Sequence, residues 1–266
     1  MTCDPRCDFA GSYAMSNLPA VKALERDVLG RDYGGTSWTT VDQVPHIVSS
    51  LRLGPHSHLL ELGCGSGWPG LYLSSTSDCR VTLLDLPLSA LEMAGERAAQ
   101  DGLDDRVDLI SATTTALPIV AAAFDCISHS DVLCCLDAKR AMLQECRRVC
   151  RTSGRMHFSV IRPEHNLAGD DLAAALEAGP PFVEVPGRYS DMLRATGWKI
   201  IERIDVTAEF AATLERLVNG LEARAQSLQM VFGADEFADT LRRRQRQIRI
   251  VRARMLQRYV FSVTAA

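Results

Sequence analysis

Five short apolar segments restrict what this chain can fold into more than anything else in it: "HLLEL" (58–62), "RVTLLDL" (80–86), "VDLIS" (107–111), "FDCISHS" (124–130) and "GRMHFSVI" (154–161). Each is bounded by turn residues, as a buried strand should be. Amphipathic stretches lie between them, among them "PLSALEMAGERAAQDG" and "AKRAMLQECRRVCRTSG". In the second, Met142, Leu143, Cys146 and Val149 fall at helical spacing before a predicted stop at Gly154. Parallel strands need a long crossover, and helices supply it, so this rhythm predicts a mostly parallel sheet covered on both faces.

A helix predicted near Tyr189 to Thr196 leads to a sixth strand, "WKIIERIDV" (198–206), and "RYVFSVTA" (258–265) makes a seventh. Some fifty residues separate these two strands. They hold two helical patterns broken near Phe232 and Gly233, and an insertion of that length predicts an added layer over a site. The expected organisation is an N-terminal cover (1–40), a cofactor-binding core (41–206), a helical lid (207–257) and the last core strand (258–266). In the lid, Leu214, Leu217, Leu221, Leu228 and Met230 are expected to line a pocket. The fold class is α/β, a Rossmann-like doubly wound sheet of seven strands with the lid inserted before the last.

The first strand runs into "ELGCGSG". Glu61 closes the strand, and Gly63, Gly65 and Gly67 let the backbone turn tightly and approach a ligand at the start of the next helix. Asp85 ends the second strand about 20 residues on, where a carboxylate can accept the ribose hydroxyls of a nucleoside. Trp68 stands where a nicotinamide dinucleotide fingerprint requires glycine, and no Gly-Lys-Ser/Thr follows, which excludes a P-loop. The pattern points to an adenosine-containing cofactor.

On these residues the chain resembles the class I S-adenosylmethionine-dependent methyltransferases, from about Tyr33 to Thr264, and within them the small-molecule, sugar and natural-product branch. "ELGCGSG" is similar to the family's first motif, Asp85 to its ribose-binding acid, "FDCISHSDVL" to its fourth-strand motif and "LQECRRVCRTSGRMHFSVI" to its fifth-strand entry. The resemblance implies S-adenosylmethionine as cofactor and S-adenosylhomocysteine as product. It implies that Gly63, Cys64 and Gly65 lie against the methionine part, with Glu61 acting on its ammonium, directly or through water. Asp85 would hold the ribose and Leu86 cover the adenine. Thr113 stands where many members carry Asp; its hydroxyl can accept only a neutral hydrogen bond from the adenine amino group, and the alternative is that backbone amides of Ala112 and Thr113 hold the adenine. His129 and Ser130 would floor the sulfonium. In "RDYGGTSWTT", Tyr33 and Trp38 are expected to exclude water, with Thr36 or Ser37 on the cofactor carboxylate; the alternative is a surface turn with Trp38 packed on the core.

Relatives of that branch often carry a His-His pair after strand four, where this chain has Leu133-Cys134-Cys135. The remaining base candidates are His129 and Asp131, then His157 and His165, and His157 reads better as a core residue. Catalysis by proximity, with a weak base or none, is therefore expected, on an amine or an acidic hydroxyl. An alternative from another class is a binding protein on the same fold that has lost catalysis.

Leu241 to Arg258 holds eight arginines and no acid in a chain of net charge −4. With Leu241, Ile248, Val251 and Met255 on one helical face, the arginines read as the solvated side. The rival is contact with RNA phosphate, an acidic substrate or a protein partner; no RNA-binding module accompanies the run, so nucleic acid is disfavoured. Cys3 and Cys7 could make half a metal site, but no second pair stands at ligand spacing, and nine cysteines without a secretion signal read as reduced thiols. No metal is expected. With 47% hydrophobic residues and no bilayer-length apolar run, a cytoplasmic, soluble enzyme is expected, with no membrane contact; a homodimer is compatible with the sequence.

Overall fold

The computed structural model describes residues 13, 15–34, 37–185 and 187–266. Its strands are β1 (His58–Leu62), β2 (Arg80–Asp85), β3 (Val107–Ser111), β4 (Phe124–Ser130), β5 (Cys150–Pro163), β6 (Trp198–Asp205) and β7 (Leu256–Ala265). They form one seven-stranded sheet in the order β3-β2-β1-β4-β5-β7-β6. The first five run parallel, and β7 is antiparallel to both β5 and β6.

The helices are α1 (Pro19–Leu29), α2 (Val44–Leu51), α3 (Gly70–Ser77), α4 (Leu88–Gln100), α5 (Lys139–Val149), α6 (Gly169–Ala178), α7 (Tyr189–Ala195), α8 (Thr207–Ala223), α9 (Ala225–Phe232) and α10 (Ala234–Arg252). Because strand side chains alternate in direction, β1 and β2 feed two cores at once. Leu60, Leu62 and Leu84 join a cluster with Leu143 of α5 and Leu193 of α7, while Leu59, Val81 and Leu83 join Ile47 of α2, Leu71 of α3 and Leu91 of α4. Each fully buried leucine contributes roughly 1.5–3 kcal/mol.

Chain order reverses direction across β1: β2 lies on one side of it and β4 on the other. In such a sheet the carboxyl ends of the two central strands open a crevice, and ligands bind there. The glycine loop after β1 and the residues after β4 stand at that switch point.

Three expectations change. Gly154 does not stop the helix: α5 ends at Val149 and β5 begins at Cys150 with no loop between. A side chain at Gly154 would strike Cys150 and the Asp125 carbonyl, so glycine there admits the irregular start of β5, where its pairing with β4 shifts register. The insertion holds three helices rather than two, with an additional break at Arg224. Its apolar residues also face elsewhere than expected. Leu221 and Leu228 pack with Leu24, Val28 and Leu29 of α1, with Leu217 against the same cluster. Leu214 is buried in the main core and Met230 is 78% exposed, so these five do not line one pocket.

Candidate active site

Three glycines after β1 adopt left-handed backbone, with φ of 62° at Gly63, 53° at Gly65 and 99° at Gly67. A Cβ at Gly63 would meet Val132 Cγ2 at 2.5 Å, and one at Gly65 would meet the Tyr13 hydroxyl at 2.6 Å. The loop is thus required to be glycine by conformation and by neighbours on two sides. The amides of Gly63 and Cys64 donate to the Leu84 carbonyl (2.8 and 3.2 Å), tying the loop to β2. Cys64 is buried, and burial pushes its thiol well above the ordinary range, which leaves it an inert neighbour of the loop.

Asp85 reaches the same loop from β2. One carboxylate oxygen accepts the Gly65 amide and the other the Leu86 amide, both at 2.7 Å. Burial raises its pKa, and the two amides act against that rise. Each carboxylate oxygen has a further lone pair, so the group can still take a pair of vicinal hydroxyls. Glu61 is 1% exposed and accepts the Ser128 hydroxyl. Burial lifts its carboxyl from 4.5 to about 7, with the Ser128 hydroxyl opposing. The carboxyl is thus shielded from solvent and tied to β4.

On the adenine side, Ala112 donates its amide to the Asp85 carbonyl at 3.1 Å, which corrects the expectation that it is free for a base. Thr113 is exposed, with its hydroxyl 3.0 Å from that of Thr115, and Leu86 is 66% exposed beside Asp85. The Tyr33 ring packs on Trp68 (5.3 Å between centroids), and its hydroxyl donates to Asp101, away from the loop. Thr36, Cys3 and Cys7 lie outside the described residues. Ser37 accepts the Thr39 amide.

The end of β4 holds the two expected base candidates in different states. His129 is 1% exposed and stacked on Phe158 (4.7 Å, 22°), and neither ring nitrogen has a partner. Burial, reinforced by His157, lowers its pKa to about 3, so the ring is neutral at pH 7. Asp131 is held by Arg258: Nε donates to both carboxylate oxygens at 3.1 Å and Nη2 to one at 2.9 Å. Arg258 is 1% exposed and Asp131 8%. This buried, bidentate pair corrects the reading of Asp131 as an open base. His157 is the core residue expected, bonded to Ser50 at 2.8 Å.

Sequence reasoning missed what Arg258 organises. Its Nη2 also donates to Ser159 Oγ and Thr39 Oγ1, and its Nη1 to the Trp38 carbonyl. Thr39 in turn donates to Ser130 Oγ at 3.0 Å and accepts the Trp68 indole N–H on its carbonyl at 2.8 Å. One arginine therefore fastens the segment before α2 to the ends of β4, β5 and β7. The only signal was a single cation beginning an apolar strand, and it was read as part of a solvated face. Four arginines of that run are paired with acids: Arg242 with Asp239 on the same helix, and Arg246 with Glu177, Arg252 with Glu215 and Arg254 with Asp205 on other elements.

No group of His, Cys, Asp and Glu able to hold a metal occurs among the described residues. The donor set does fit an adenosine with an amino-acid tail: a backbone cradle without side chains, a carboxylate across from it, an unpartnered Ser66 hydroxyl within the loop and unpartnered His129 nitrogens at the end of β4.

Comparison with known proteins agrees. Residues 60–158 match the "Methyltransferase domain" family. Methyltransferase GfsG of Streptomyces halstedii is 27% identical over 161 residues, 58% of this chain and 57% of that protein. The 27-O-demethylrifamycin SV methyltransferase of Amycolatopsis mediterranei is 27% identical over 202 residues, 74% of each chain. The match thus spans little more than half of the first relative's length. Among solved structures, phosphoethanolamine N-methyltransferase 2 of Haemonchus contortus, in complex with S-adenosyl-L-methionine, superposes with a TM-score of 0.81 at 14% identity, covering 98% of this chain and 60% of that one.

Proposed function

We propose that this chain, a class I S-adenosylmethionine-dependent methyltransferase, moves a methyl group to a nitrogen or oxygen of a small-molecule acceptor by alignment, without a strong general base. The bound cofactor supplies an electrophilic methyl on a sulfonium, and the protein has to orient the acceptor and exclude water. Asp85 takes the ribose hydroxyls, Gly63, Cys64 and Gly65 carry the methionine part, and Leu86 and Thr113 border the adenine. Ser130, fixed by Thr39, and the neutral His129 ring floor the reacting centre.

One observation carries this reading: the two candidate bases at the end of β4 are respectively a buried neutral imidazole and a carboxylate bound to Arg258. An amine arriving neutral, or a hydroxyl already acidic, needs neither. The rifamycin relative supports a hydroxyl acceptor and the Haemonchus neighbour an amine, so both belong to the proposal. The insertion 207–257 acts as the lid together with α1, since the two share one apolar cluster. A cytoplasmic setting fits the seven described cysteines, all of them free thiols. Among the described residues no helix is long and apolar enough to cross a membrane.

The test is S-adenosylhomocysteine release across a panel of small amines and hydroxyls. Turnover is expected for at least one, and His129→Ala should keep the rate on it within about tenfold, below the roughly hundredfold that a general base contributes at the least. Cofactor binding without turnover on any acceptor would favour a binding protein on this fold.

A further inference from the structure

Arg244 differs from the other arginines of α10 and the turn after it. Arg242, Arg246, Arg252 and Arg254 each face a carboxylate, and Arg243 and Arg249 stand exposed. Arg244 is half-buried and has no carboxylate partner among the described residues. Its Nη1 donates to Gln247 Oε1 at 2.8 Å, and Gln247 is itself buried, its amide nitrogen donating to the Ala178 carbonyl. The guanidinium lies over the Trp38 ring, 5.1 Å from its centroid. Burial with Arg243 nearby pushes its pKa down to about 10, so the cation sits in surroundings that disfavour it.

An arginine drawn partly out of water without a counter-charge costs stability, and stacking on one indole offsets only part of that cost. Such a group is retained where an anion completes it. A guanidinium has five N–H donors, and one of its nitrogens is engaged by Gln247. The planar fork that remains suits a carboxylate or a phosphate. Its position is relevant to the site. The Trp38 carbonyl accepts Arg258 Nη1, and the next residue, Thr39, bonds to Ser130 at the end of β4. The edge of the same indole meets Phe210 of α8 at 5.2 Å.

We infer that Arg244, stacked on Trp38 and steadied by Gln247, binds an oxyanion of the methyl acceptor, so that the acceptor class is small amines or hydroxyls carrying a carboxylate or phosphate. This rests on the methyl-transfer reading for the word acceptor, but the anion site itself does not.

The full chain saturated with S-adenosylhomocysteine is titrated with sodium acetate and with sodium phosphate while the indole N–H signals of Trp38, Trp68 and Trp198 are followed by NMR. A saturable shift at Trp38 is expected, with Trp68 and Trp198 little moved because their N–H groups are bonded to backbone carbonyls. The anion that saturates at lower concentration names the group. Arg244→Gln should weaken this binding at least tenfold, Arg244→Lys less, and exposed Arg243→Gln not at all. Absence of a saturable shift, or its persistence in Arg244→Gln, overturns the site. Tenfold weaker S-adenosylhomocysteine binding in Arg244→Gln also overturns it, by giving the residue to the cofactor's own carboxylate. In turnover, oxyanion-bearing acceptors should show a KM raised at least tenfold by Arg244→Gln with kcat kept within threefold. Turnover confined to neutral acceptors and unchanged by the variant removes the anion site and leaves methyl transfer standing. A Trp38 shift without any turnover does the reverse.

Discussion

The two sides of the crevice solve different problems with different materials. At the ends of β1 and β2 the site is backbone: glycines at positive φ, amides turned onto the Leu84 carbonyl, and one carboxylate, Asp85, clamped by two amides. At the ends of β4, β5 and β7 it is side chains: Asp131, Arg258, Ser159, Ser130, Thr39 and Trp38 in one bonded group. A backbone cradle accepts one ligand shape and tolerates little change. A side-chain network can be rewritten residue by residue, at the risk of leaving a buried charge unpaired. The first side suits a fixed cofactor, the second a variable acceptor.

The sharpest way to break this contrast is at the ion pair. Asp131→Ala leaves Arg258 charged and buried, and is expected to cost about 3–5 kcal/mol of folding stability in denaturant titrations while S-adenosylhomocysteine affinity in the folded protein changes little. A stability loss under 1 kcal/mol would mean that the network is not what fastens the acceptor side.

Glu61 lies between the two sides and gives a pH test. Its carboxyl is raised from 4.5 to about 7 by burial, so the folded protein holds a proton that the unfolded chain releases. Stability is therefore fully present below about pH 4.5, falls as pH rises toward 7 and is flat above, by about 3 kcal/mol for this group. Glu61→Gln should flatten that slope, read as the difference between parent and variant in unfolding curves from pH 4.5 to 8.

On the cofactor side the expected pattern inverts, with affinity lost and fold kept. Gly65→Val forces a β-branched residue into positive φ and against the Tyr13 hydroxyl, and should weaken S-adenosylhomocysteine binding at least a hundredfold, ~2.7 kcal/mol, with an unchanged circular dichroism spectrum. Asp85→Ala should cost about 2 kcal/mol of the same affinity by titration calorimetry, one charged acceptor's worth. Equal affinities in parent and Asp85→Ala would detach the carboxylate from the ribose.

The sheet was legible in the chain because every strand announces itself locally: β1 to β3 match their expected starts, and β2 ends one residue short of the predicted Leu86. The glycine loop and Asp85 were legible for the same reason, each being a strand-end residue whose chemistry follows from its neighbours. What was hidden depends on distance along the chain. Asp131 and Arg258 are 127 positions apart, so nothing local separates a paired aspartate from an open base. Ala112 was misread because its amide is claimed by a carbonyl on another strand, and Gly154 because a glycine that ends a helix and one that admits a bulge look alike in sequence. Leu221 and Leu228 were expected over an acceptor because their partners on α1 lie nearly two hundred residues earlier.

That last contact governs the order in which the molecule is made. Leu24, Val28 and Leu29 of α1 find Leu221, Leu228 and Phe237 only after about two hundred further residues have been made. At about 5–20 residues per second, the greasy side of α1 stays uncovered for roughly 10–40 s of synthesis. The apolar side of α1 is therefore translated well before the helices that bury it, and the cluster it forms with them is among the later contacts to be made.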